Sequence, residues 1–272
     1  MRLQTKQERE ILLSDRRIVG LVGVRRREHT MQCHLCLQDR DLCDSHILPE
    51  FLYRPGYDEN HRVEVLTQSS HYPSFIQKGI RQKLLCQECE NLLANTYEDY
   101  FSSRWYLHGT LPGTFDLSNW HLEGLDYAPF KLFHLSILWR ASISTHAAFS
   151  QVSLGSTAER IRLMLLNKQP GSDDDFQIFG VLLLFPSSNQ VCDGFIASPT
   201  RQVRDGHPLH MFVFGGCVWH YYESSGDPNP LFAQIALSPD GSMTFPVSTL
   251  DKVTPLARFF EDYVRIQRDA RL

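Results

Sequence analysis

The sequence has no apolar run approaching the roughly 18 residues that a membrane-spanning helix needs, so no membrane span is expected. It has no excess of positive charge. Its 27 Lys and Arg stand against 31 Asp and Glu, for a formal net charge of -4. Any nucleic-acid contact must therefore use a local basic patch, because the whole molecule offers no attracting field. No apolar core follows a basic start in the first residues, so no secretory signal is evident. Internal repeats and low-complexity tracts are also missing, which excludes solenoids and compositionally biased linkers. Nor do the cysteines read as a disulfide framework. There are seven, an odd number, and four of them fall in two Cys-x-x-Cys pairs. That usage suits a reducing, cytoplasmic setting. Met31 lies two residues before Cys33 of the first pair, which makes it an alternative start of translation.

What is present is the composition of a globular chain. A hydrophobic fraction of 42% and a charged fraction of 21% can support a buried core. The length of 272 residues allows one large or two small domains. The informative stretch runs from residue 31 to 104. It holds Cys33-x-x-Cys36, then Ser45-His46-Ile47-Leu48-Pro49, then Leu85-Cys86-x-x-Cys89-Glu90-Asn91. Each Cys-x-x-Cys offers two sulfurs from one turn, and two such turns supply the tetrahedral set that a structural Zn²⁺ requires. A single pair would leave a redox role open, whereas two matched pairs point to metal.

These residues resemble the zinc-braced form of the HNH, or ββα-metal, nucleases. The resemblance rests on the Cys-x-x-Cys pair, a His-Ile-x-Pro tract ten residues later, and the closing Leu-Cys-x-x-Cys-x-Asn, and it covers about a quarter of the chain. It implies that the first His ends a β-strand and acts as general base. It also implies that the third motif position opens a helix and helps to hold a catalytic divalent ion, Mg²⁺ or Mn²⁺. By position, His46 is the base and Glu90 the third residue, with Cys33, Cys36, Cys86 and Cys89 on structural zinc. Two positions depart from the family pattern. Ser45 replaces a ligating residue, and Glu90 stands where His or Asn is usual. A carboxylate suits Mg²⁺ or Mn²⁺, so the ligands are sought among Glu90, Asn91 and Asp44. The family's middle Asn is not assignable, and Asn60 is only a weak candidate.

The remaining chain is read by pattern. Residues 1–30 form a basic N-terminal segment: an arm for phosphate, or an exposed tail. Residues 31–106 form the HNH-like domain, with strands at 42–47 and 63–66, a short turn or helix at 51–57 and a loop at 71–77. Residues 78–84 carry three basic side chains and could meet a phosphate backbone or merely be solvated. Leu92, Leu93, Tyr97, Tyr100 and Phe101 recur at helical spacing. Glu90 could ligate metal or simply favour the helix N-terminus. Residues 107–124 read as a linker.

Residues 125–272 are expected to form an α+β domain of mixed helices and antiparallel sheet, with a role left unassigned and room for a protein partner or ligand. A dense apolar helix spans 129–144, in which Arg140 serves an internal carboxylate or carbonyl. A capping box, Ser156 to Glu159, opens a second helix to about 167. Strands are expected at 176–185, 194–198, 211–221, 232–237 and 243–247, with a turn at 238–241 and a last helix at 254–271. His207, His210 and His220 read as core or surface residues, and Asp173 to Asp175 as a solvated loop.

The expected fold is thus α+β, a small zinc-braced ββα-metal domain followed by the mixed domain. The expected function is an endonuclease, a phosphodiester hydrolase acting on nucleic acid, DNA ahead of RNA. The competing reading is a non-catalytic zinc-braced module that binds nucleic acid or protein.

Overall fold

The computed structural model describes residues 31–65, 74–204, 206–225 and 230–253, and these belong to one compact unit. The basic segment 1–30 and the helix expected at 254–271 lie outside the described residues.

β1 (Met31–Gln32) and β2 (Asp39–Arg40) pair antiparallel around the first cysteine turn. β3 (Leu42–His46) follows. Pro49 ends the extended stretch and opens a pair of 3₁₀ turns over Glu50–Leu52 and Arg54–Gly56. β4 (Arg62–Val65) and β5 (Ser74–Gln77) make a separate antiparallel ladder. The loop expected at 71–77 is therefore a strand from 74 onward. Its extended state is fixed by hydrogen bonds from a partner in the ladder, which local composition does not reveal. β6 (Arg81–Cys86) then returns antiparallel to β3, pairing Ser45 with Gln82 and His46 with Arg81.

α1 (Gln87–Leu93) starts directly after β6. The helical path continues as a π-helical stretch (Ala94–Glu98), α2 (Asp99–Ser102) and a second π-helical stretch (Ser103–Leu107). The buried residues Cys89, Leu93, Tyr97, Phe101 and Trp105 explain this path. They recur every four residues. A regular α-helix would rotate each about 40° past the last. The wider π turns take up that drift and keep the row aimed at the core.

β7 (Trp120–Leu122) precedes α3 (Tyr127–Ile143). Every residue of α3 from Phe130 to Ala141 is buried, as expected of a helix with apolar residues on all sides. α4 (Thr157–Asn167) comes next. The expected capping box does not form, because the Ser156 side chain makes no cap bond. Thr157 Oγ1 instead donates to the Leu154 carbonyl, and Arg162 holds the Glu159 carboxylate at 2.7 Å.

A five-stranded sheet completes the unit. It contains β8 (Asp175–Leu184), β9 (Ala197–Arg204), β10 (His207–Phe214) and β11 (Cys217–Ser225). Past α5 (Pro230–Ala233), β12 (Met243–Phe245) pairs with β7, and β13 (Val247–Thr249) joins the large sheet. The order is β13-β8-β11-β10-β9, antiparallel except for β13 against β8. The strand expected at 232–237 is instead a helical turn opened by Pro230. It sets Phe232 on the Phe179 ring, with centroids 4.3 Å apart.

One buried apolar cluster runs from Cys33 to Phe245. Phe101 stacks on Phe133 of α3 at 3.9 Å, and Trp105 meets Trp219 and Phe245 at 5.4 and 5.9 Å. The stretch read as a linker lies within this unit and carries β7. Among the described residues, no helix is long and apolar enough to cross a membrane.

His134 lies at the centre of this core, fully buried, with Nδ1 3.0 Å from the Tyr221 hydroxyl. Burial holds its pKa well below the ordinary histidine value. In the unfolded chain the ring takes up a proton near pH 6.5. The folded ring does not, so stability is present above that pH and is lost as pH falls below it. The expected loss is about 1.4 kcal/mol per pH unit. Thermal melts between pH 7 and 4.5 should show this acid limb. His134→Phe combined with Tyr221→Phe, which removes both polar partners, should make it shallower, with the remainder left to His220, which burial pushes down to about 4. An unchanged limb in that double variant would assign the acid sensitivity elsewhere.

Candidate metal centre and hairpin site

Both cysteine turns are fixed by backbone geometry. In the first, the Cys33 N–H donates to the Gln38 carbonyl at 2.9 Å, and the Leu37 N–H donates back to Cys33 at 2.8 Å. Leu37 takes φ 60°, the left-handed conformation that turns the chain after Cys36. In the second turn, Cys86 ends β6 and caps α1, and Cys89 lies in the first helical turn. Two contacts join the turns: the His34 N–H to the Leu84 carbonyl at 3.1 Å, and the Cys86 N–H to Cys33 Sγ at 3.3 Å.

The result is a cluster in which the sulfurs of Cys33, Cys36, Cys86 and Cys89 all lie within 4.8 Å of one another. The Cys36–Cys86 separation is 3.9 Å. A tetrahedron with Zn–S bonds near 2.3 Å has edges of about 3.8 Å. The donor set thus fits one metal ion and is compatible with structural zinc. Burial pushes the Cys86 thiol up to about 11 and raises Cys89 further, where the sulfurs of Cys86 and Cys33 add to the effect. Burial also acts to raise Cys33, but N–H bonds from Cys36, Cys86 and Leu35 outweigh it and bring that thiol below its ordinary value. Four crowded thiolates need a cation between them, so metal uptake must release protons.

The cluster is anchored on its outer side. Arg162 of α4 donates to the Leu35 carbonyl inside the first turn. Arg40 and Glu88 span the two turns at 2.6 Å, but both side chains are largely exposed, and such pairs contribute little.

His46 ends β3 at the edge of the hairpin, and its Nε2 lies 2.7 Å from the Lys78 carbonyl. A carbonyl can only accept, so Nε2 is the donor in this contact. The His46 carbonyl accepts from Arg140 Nη1 at 2.9 Å. Ser45 faces the other way. It is buried, and its Oγ accepts the Leu85 N–H at 3.1 Å. Asp44 is exposed and pairs with Lys83 at 3.3 Å. Glu90 lies in the first turn of α1, and its Oε1 is buried with no hydrogen-bond partner. Asn91 Oδ1 accepts from Gln87 Nε2 at 3.0 Å.

The structure thus gathers the four cysteines. It does not gather Asp44, His46 and Glu90 in the same way. Among the described residues, the cysteine cluster is the one group of three or more His, Cys, Asp or Glu side chains arranged to hold an ion. Glu90 lies instead near Cys43, whose thiol is raised first by burial and then by the Glu90 charge. Asn60 sits in a turn, its N–H bonded to Asp58. Arg81, the register partner of His46, is exposed, as are Lys78 and Lys83.

The links from Arg140 and Lys78 to His46 were not legible in the sequence. The only trace was an arginine in an otherwise apolar helix. Arg140 serves both kinds of partner expected of it, the Glu98 carboxylate and two carbonyls. The scattered histidines of the sheet are held internally, His210 by Glu223 at 2.8 Å and His207 by the Glu223 carbonyl. Comparison with known protein families, with curated proteins and with solved structures finds no match.

Freshly purified protein is expected to contain about one tightly held zinc per chain, and Cys86→Ser to lose it and fold poorly, since site formation and folding are coupled. Metal analysis by mass spectrometry checks this. Zinc-free, fully folded protein would show that the sulfurs close without an ion.

Proposed function

We propose that this protein is an HNH-like endonuclease that hydrolyses phosphodiester bonds in nucleic acid, DNA ahead of RNA, with His46 as general base. The observation that carries the reading is the state of the His46 ring. Its Nε2 proton is committed to the Lys78 carbonyl, which leaves Nδ1, in the neutral ring, as the nitrogen that can accept a proton. A base must present an unprotonated nitrogen in a fixed direction, and this arrangement supplies one. The surrounding order agrees with the reading: an antiparallel pair, β3 and β6, runs straight into α1 beside a cysteine cluster suited to structural zinc.

In this reading His46 Nδ1 takes the proton of the attacking water, and the Lys78 carbonyl steadies the imidazolium that forms. Arg81 and Lys78, exposed beside the base, would offer positive charge to the phosphate backbone. Glu90 is the foremost candidate to hold a divalent ion, since its Oε1 is buried without a partner, and Mg²⁺ or Mn²⁺ bound there would stabilise charge on the phosphate and the leaving oxygen. Asn91 and Asp44 remain candidate ligands, although each side chain already has a protein partner.

A second reading, a non-catalytic zinc-braced binding module, has its own support. Ser45 is turned inward, and no second group of ion-binding side chains converges among the described residues.

Plasmid incubation with Mg²⁺, Mn²⁺ or EDTA separates the two. The nuclease reading expects metal-dependent nicking or cleavage, and His46→Ala to lower its rate on the order of 10²–10⁴-fold with zinc content unchanged. Glu90→Gln should weaken the response to Mn²⁺ and be partly rescued by excess Mn²⁺. Cleavage equal to wild type in both variants would leave His46 structural and favour the binding module.

A further inference from the structure

Arg140 projects from α3 into the hairpin and is almost wholly buried, with its side chain 1% exposed. Its guanidinium makes four contacts. Nη1 donates to the His46 carbonyl at 2.9 Å and Nη2 to the Glu98 carboxylate at 2.8 Å. Nη2 also reaches Ser136 Oγ at 3.2 Å, and Nε reaches the Ser136 carbonyl at 3.3 Å. Glu98 ends the first π-helical stretch, on the helical path that leaves the second cysteine turn. One planar fork thus joins α3, that path and the last residue of β3. Few groups other than guanidinium can hold several acceptors in fixed directions at once.

The opposite strand is held from the same end of α3. Gln82 Oε1 accepts from Ser144 Oγ and from the Thr145 N–H, both at 3.0 Å. Gln82 is the register partner of Ser45, one residue from His46. Both strands of the hairpin are therefore tied to α3 at the level of His46. The tie on β3 falls on the His46 main chain itself.

We infer that Arg140, braced by Glu98, is a positioning residue for His46: it fixes the end of β3 so that the imidazole meets the Lys78 carbonyl and presents Nδ1 in one direction. The catalytic consequence rests on the proposed role of His46 as base, while the effect on the ring does not. A base displaced by about 1 Å can lose on the order of 10²-fold in rate. A loosened strand end would therefore appear in turnover before it appears in binding. The inference also gives the helical half of the molecule a role at the hairpin, since α3 belongs to the region with no catalytic motif of its own.

The test reads the His46 ring directly, by nitrogen-15 spectra of histidine-labelled protein, with the signal assigned by its loss in His46→Ala. Wild type should show a fixed tautomer, with Nε2 protonated and Nδ1 not. Arg140→Lys keeps the charge opposite Glu98, but one ammonium cannot replace the fork. Arg140→Met with Glu98→Gln removes both charges, so no buried charge is left unpaired if the single variant folds poorly. In each, the two nitrogen signals should move toward an average, and kcat for cleavage should fall about 10-fold or more with KM unchanged. Tyr97→Phe is the control. It removes a buried bond to the Leu165 carbonyl that involves neither β3 nor β6, and should lower the melting temperature without moving the His46 signals. Unchanged His46 signals in both Arg140 variants, with zinc retained, would overturn the inference. If wild type does not cleave at all, the nuclease reading fails, and the ring signals still decide the role of Arg140.

Discussion

Four sulfurs must meet at one point, from turns that lie 50 residues apart between Cys36 and Cys86. The geometry of the N-terminal part of the described unit depends on that closure. Closing so long a loop costs chain entropy, which a metal clip can offset. The closure sets β3 beside β6, and it fixes where α1 begins, because Cys86 is both the last residue of the strand and the cap of the helix.

The hairpin is not held by the cysteines alone. α3 is apolar nearly all round, yet it carries four buried polar side chains, Lys131, His134, Ser136 and Arg140, and each has partners. Burial lowers Lys131 to about 8, against the pull of Asp175 and Asp173, and its Nζ bonds the Tyr127 hydroxyl. His134 meets Tyr221, and Arg140 meets Glu98 and the end of β3. A buried ion pair is weak evidence for stability, but removing one partner leaves a charge without compensation, at about 3–5 kcal/mol. Arg140 is thus costly to lose and specific in what it orients. The proposed chemistry at His46 depends on that orientation as much as on the residue type.

The legible features of the sequence were those in which spacing is itself chemistry. Two Cys-x-x-Cys pairs implied a four-sulfur site, and the structure brings those sulfurs within reach of one ion. The His-Ile-x-Pro tract implied a strand ending at His46, and β3 ends there. The apolar density of 129–144 implied a central helix, and α3 is buried along most of its length. What stayed hidden depended on partners distant in sequence. β5 exists through its ladder with β4, and Phe232 leaves the strand state to pack on Phe179. Leu92, Leu93, Tyr97, Tyr100 and Phe101 read as helical by spacing, but the buried row from Cys89 to Trp105 that runs through them needs π turns to stay aligned. Sequence position also suggested that Ser45, Asp44 and Glu90 share a neighbourhood with His46. A metal site further requires convergence, and the structure turns Ser45 inward, pairs Asp44 with Lys83 and leaves Glu90 with one buried oxygen free.

The proposed function divides labour between two metals, a zinc that would hold the frame and a divalent ion that would serve His46. Anomalous diffraction from crystals soaked in Mn²⁺, recorded at the zinc and manganese absorption edges, tests it most directly. The account predicts a zinc peak among Cys33, Cys36, Cys86 and Cys89, and a separate manganese peak at the unpartnered Glu90 oxygen. A zinc peak alone, with no manganese at Glu90 at millimolar soak, would contradict the catalytic half and leave a zinc-braced binding module.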